Sequence, residues 1–115
     1  MYKVKFLKQI HSGFSTFQTG DLYVEVDTEL PFIPVEGITY NIDVGQEYPL
    51  EISGDEIKEI CYNQKENMFK IYTEEDKELY DRARKEKKSI GENYTKEEVL
   101  AVANKYIEYG WKFRK

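Results

Sequence analysis

The sequence predicts an α+β domain in which a twisted antiparallel sheet of about five strands comes first and two helices come last. Three observations carry that prediction. Apolar residues recur with a period of two as far as about residue 73 and with a period near 3.6 beyond it. The length of 115 residues suits one hydrophobic core and is too short for two, so residues 1–115 form a single domain. Finally, 15% of the residues are aromatic, ten of them Tyr, and these rings supply the apolar surface that offsets chain entropy although 34% of residues are charged.

In the first strand, over residues 2–10, Tyr2, Val4, Phe6 and Ile10 oppose Lys3, Lys5 and Gln9, with Leu7 and Lys8 out of phase. A polar stretch from His11 to Gly20 follows, broken at Gly13 and Gly20 and holding Phe14 and Phe17; it reads as a loop with His11 exposed to water. The cleanest alternation lies at 21–28, where Leu22, Val24 and Val26 share a face, and at 38–44, where Ile38, Tyr40, Ile42 and Val44 do. Between these strands, Pro31 and Pro34 cannot donate to a ladder, so 30–37 is a crossing loop or an irregular edge.

A short apolar piece at Leu50 and Ile52 precedes a strand pair at 57–63 and 68–72, joined by a turn at 64–67. Ile57 and Ile60 are three apart, a slip that a β-bulge accounts for. Short strands and long early loops also fit a small half-barrel of the SH3-like type. The first helix is expected over 74–88, with Thr73 as its cap, acids in its first turn and basic residues from Arg82 to Lys88 at its far end. Ser89 to Tyr94 connects to the second helix, expected over 95–109. There Thr95-Lys96-Glu97-Glu98 has the spacing of a capping box, and Gly110 sits where a left-handed terminator is wanted. Residues 110–115 form a short aromatic tail.

Cys61 is the single cysteine, so no intrachain disulfide forms, and one His with one Cys cannot build the familiar zinc sites. Phosphate-binding glycine loops, H-E-x-x-H and G-x-S-x-G are absent, no cofactor pattern is present, and no motif identifies a family. No run reaches the roughly 20 apolar residues of a membrane span, and the first ten residues lack a signal-peptide core. A cytoplasmic protein away from the membrane is expected.

The net charge of −5 disfavours a general nucleic-acid coat and favours a basic or neutral partner. Three surfaces are candidates for binding another protein. If the second and third strands pair, Glu25, Asp27 and Asp43 gather on an acidic sheet face. The apolar loop offers Leu30, Phe32 and Ile33, and the tail offers Trp111 and Phe113, large side chains that either close the core or meet a partner. The reading that leads is a non-catalytic protein–protein interaction module, with the properties of a small acidic inhibitor, immunity protein or phage accessory factor; a homodimer is compatible with it. A nucleic-acid-associated module comes second and requires Lys3, Lys5 and Lys8 to join Arg82 to Lys88 in one positive patch. A motif-poor enzyme comes third, using the clustered carboxylates with a raised pKa or a divalent ion.

Overall fold

The structure is a computed structural model and describes residues 1–11, 22–86 and 94–114. The expected loop at 12–20 with Phe14 and Phe17, the connection at 89–93, and Lys87 and Lys88 lie outside the described residues.

Strands come first and two helices follow, the second near the C-terminus, as the change of period requires. Five strands form one sheet in the order β5-β6-β1-β2-β7: β1 (Tyr2–Ile10), β2 (Leu22–Leu30), β5 (Ile57–Asn63), β6 (Met68–Thr73) and the short β7 (Lys112–Phe113). Two further strands, β3 (Tyr40–Ile42) and β4 (Leu50–Ile52), pair only with each other. The helices are α1 (Glu78–Lys85) and α2 (Lys96–Glu108). The sheet departs from an all-antiparallel one at a single pairing, because β1 runs parallel to β6 (Phe6 opposite Ile71). The expected bulge is present where the register of β5 against β6 shifts between Ile57 and Glu59.

One face of the sheet is apolar. Val4, Phe6 and Ile10 of β1, Val24 and Val26 of β2 and Ile71 of β6 share a core with Tyr40, Ile42 and Ile52 of the β3–β4 hairpin. The same core takes Leu79 and Ala83 of α1, and Val99, Val102 and Ala103 of α2. Tyr40 meets Phe6 edge-on with 5.3 Å between ring centroids, an arrangement that the aromatic quadrupoles favour. The hairpin therefore acts as a cover over the sheet and not as its third member.

The N-terminus of α2 forms as predicted: Glu98 N–H donates to Thr95 Oγ1, and the Glu98 carboxylate accepts from Thr95 N–H. Its C-terminus closes in a Schellman motif, with Gly110 N–H donating to Ile107 O and Trp111 N–H to Tyr106 O, and Gly110 at φ +109°. The first helix starts later than expected. Thr73 is buried at the end of β6, where its hydroxyl donates to Leu7 O, so it is unavailable as a cap; Asp76 Oδ1 instead accepts from Glu78 N–H.

Candidate functional site

The Pro-flanked loop comes to the surface. Phe32, Ile33 and Val35 are 43%, 55% and 48% exposed, and Ile38 adds to the same apolar stretch. Its backbone is nevertheless fixed. Tyr40 Oη accepts from Val35 N–H at 3.0 Å and donates to Val35 O at 2.7 Å. The Phe32 ring stacks on Tyr40 with a 6.4 Å centroid separation, Pro34 is buried, and Leu30 is half-buried at the end of β2. Gly37, at φ +85°, lies so close to Gly54 that a Cβ on Gly54 would sit 2.7 Å from the Gly37 carbonyl carbon. The result is an apolar ridge whose conformation is set before anything binds to it.

The acidic face expected from pairing of β2 with β3 does not form. Both edges of β2 are already taken, by β1 and by β7, so β3 has only β4 to pair with. Glu25 and Asp27 lie on the outer face of the sheet against Lys5, whose Nζ is 3.4 Å from Glu25 Oε2 and 3.9 Å from Asp27 Oδ1. Asp43 sits in the hairpin turn and accepts from Gly45 N–H at 2.9 Å. The three carboxylates share no site, and among the described residues no group of three or more His, Cys, Asp or Glu is placed to hold a metal.

The aromatic tail divides. Trp111 is 4% exposed and packs edge-on against Tyr106, so it is a core residue; the Schellman turn at Gly110 swings it inward. Phe113, 38% exposed, stands opposite Val24 on the short edge strand β7.

The two out-of-phase residues of β1 prove the most informative. The strand continues without a bulge from Tyr2 to Ile10, so alternation forces Leu7 onto the outer face and Lys8 onto the core face. Leu7 is buried there in a shallow depression that it shares with Lys5, Lys70, Arg114, Glu25 and Glu66, long side chains whose stems shield it from water. Lys8 is buried beneath Tyr106 and Trp111, whose ring centroids lie 5.6 and 6.0 Å from Nζ. Its ammonium donates to Glu74 O at 2.7 Å, and Glu56 Oε2 lies 4.0 Å away. Burial pushes the ammonium below its usual lysine range, and Glu56, Asp76 and Glu74 pull the other way. Lys3 and Lys5 point to the opposite face from Lys8, so these lysines form no single positive patch.

Lys8 lies in an open cleft of about 920 Å³ between the hairpin turn, the segment after β6 and the end of α2. Seven carboxylates line it (Glu47, Glu51, Glu56, Glu74, Glu75, Asp76 and Glu108) with two lysines, Lys8 and Lys77. Seven acids against two lysines give the cleft an excess of five negative charges among the described residues. Tyr106 donates its hydroxyl to Asp76, and burial followed by that bond raises the phenol well above its normal value. His11, expected free in a loop, is paired at 2.6 Å with Glu75, and this bond holds the Glu75 carboxyl below the usual carboxylate range. No sequence signal gathers these groups, because they come from five separate segments.

Compared with protein-family models, with curated proteins and with solved structures, the chain finds no match in any of the three. Among the described residues no helix is long and apolar enough to cross a membrane.

Proposed function

We propose that the protein is a non-catalytic interaction module that docks another protein on the apolar ridge at 30–38, in the manner of a small inhibitor or adaptor. The observation that carries this reading is the combination of exposure and fixation in Phe32, Ile33 and Val35. Apolar side chains on a pinned backbone lose little conformational entropy on binding, and interfaces draw most of their energy from a few such anchors. A loop that served only to close the core would turn these side chains inward.

The charge distribution supports a basic partner. A cleft with an excess of five negative charges generates a directed field, and such fields act mainly on association rate. The ridge supplies the contact and the cleft the steering. Capture of a partner by the immobilised protein tests the reading: Phe32→Ala together with Ile33→Ala abolishes retention while folding is unchanged. Undiminished retention by that folded variant removes the ridge from the interface.

A further inference from the structure

We propose that Lys8 is a reactive amine that captures a small neutral aldehyde as a reversible imine in the acidic cleft. The proposal goes beyond the docking reading and does not depend on it. Its geometric basis is the position of Nζ, on the core face of β1 and among the groups lining an open cleft, with nine-tenths of the side chain removed from water.

The groups facing Nζ come from four segments. Glu56, from the turn before β5, approaches only to 4.0 Å; Glu74, after β6, offers its backbone carbonyl; Asp76 accepts from the Tyr106 hydroxyl of α2; and Trp111 presents its ring. The ion pair with Glu56 is long, the rings of Tyr106 and Trp111 lie 5.6 and 6.0 Å from Nζ, and desolvation outweighs the attraction of Glu56, Asp76 and Glu74. A buried lysine in this position holds more of the uncharged, nucleophilic amine at neutral pH than a surface lysine does.

The chemistry balances without an oxidant or reductant. The nitrogen lone pair attacks the carbonyl carbon to give a carbinolamine. Loss of water removes the carbonyl oxygen with both amine hydrogens, leaving a C=N bond, and addition of water reverses it. The seven acidic residues around the cleft repel anionic aldehydes such as glyoxylate or phosphorylated aldehydes, which fixes the ligand class as neutral.

The test uses the full chain at pH 7 with propionaldehyde, the imine being trapped by cyanoborohydride and each lysine followed by peptide mass spectrometry. Burial holds the Lys8 ammonium below its usual range and so enlarges its share of free amine, and Lys8 is labelled faster than the exposed Lys3, Lys58 and Lys65 of the same chain. Measured against the exposed lysines of the same chain, the preference for Lys8 is smaller with glyoxylate, an anionic aldehyde, than with propionaldehyde, and an equal preference overturns the assignment of a neutral ligand. In the Lys8→Arg variant the fast phase disappears and the slow labelling of surface lysines remains. Labelling of Lys8 no faster than the exposed lysines, or a fast phase that persists in Lys8→Arg, overturns the proposal. Because the decisive comparison is made within the wild-type chain, it holds whether or not the variant folds.

Discussion

Gly110 joins α2 to the core, and replacing it with Ala tests the packing account at its tightest point. Two costs arise. At φ +109° an L-residue is strained, by about 1–2 kcal/mol. In addition, the new Cβ would sit 2.8 Å from Val44 Cβ and closer still to Val44 Cγ2, an overpacking worth about 1–3 kcal/mol. Together they predict a loss of about 3 kcal/mol, or roughly 12 °C in Tm for a domain of this size. The steric part is separable. Val44→Ala removes Cγ2, the nearest atom, so the double variant Gly110→Ala/Val44→Ala recovers about 1 kcal/mol relative to the sum of the single changes. Urea denaturation of all four proteins, compared at constant slope, reads both quantities. A cost below about 0.5 kcal/mol for Gly110→Ala, or strict additivity, would refute the account of the α2 terminus and of how Trp111 is turned inward.

Three further outcomes follow from the same structure. Trp111→Ala costs about 3–5 kcal/mol by thermal or chemical denaturation, the range for truncating a buried ring, whereas a neutral result would put the indole at the surface. Thr95→Ala removes one arm of the capping box and lowers stability by about 1 kcal/mol, with Thr95→Ser restoring it. Glu75 has a folded-state pKa below its ordinary 4.5, so its contribution is present above that value and is lost as pH falls through the lowered one. Glu75→Gln therefore flattens the acid limb of the stability profile and converges with the wild type at the lowest pH; an unchanged acid limb contradicts the His11–Glu75 pairing.

Much of the fold is legible in the residues because it rests on local chemistry. The Thr95–Glu98 capping box, the left-handed Gly110 and the slip between Ile57 and Ile60 each specify a local geometry that the structure contains. What the sequence conceals is non-local. Alternation at 21–28 and 38–44 marks two strands but carries no information on whether they pair, and β7, only two residues long, takes the edge of β2 that such a pairing would have needed. Thr73 matches an N-cap in type and position; its burial at the end of β6, bonded to Leu7 O, overrides that preference. The candidate sites divide in the same way. The ridge is contiguous in sequence and can be read there as an apolar, proline-flanked loop, with only its exposure left open. The cleft is assembled from five segments, and its one visible trace in the sequence is Lys8 breaking the alternation of β1.

The central claim, that the ridge at 30–38 is a docking surface for a basic protein, is tested most directly by measuring association and dissociation rates of a captured partner against wild type and Phe32→Ala. The account predicts that Phe32→Ala, with a Tm close to wild type, speeds dissociation by roughly tenfold or more, as loss of an interface anchor does. It also predicts that added salt slows association of both proteins alike, because the steering charge lies in the cleft and not on the ridge. An unchanged dissociation rate in the folded Phe32→Ala variant, or a fall of several kcal/mol in its stability, would contradict it by placing Phe32 outside the interface or inside the core.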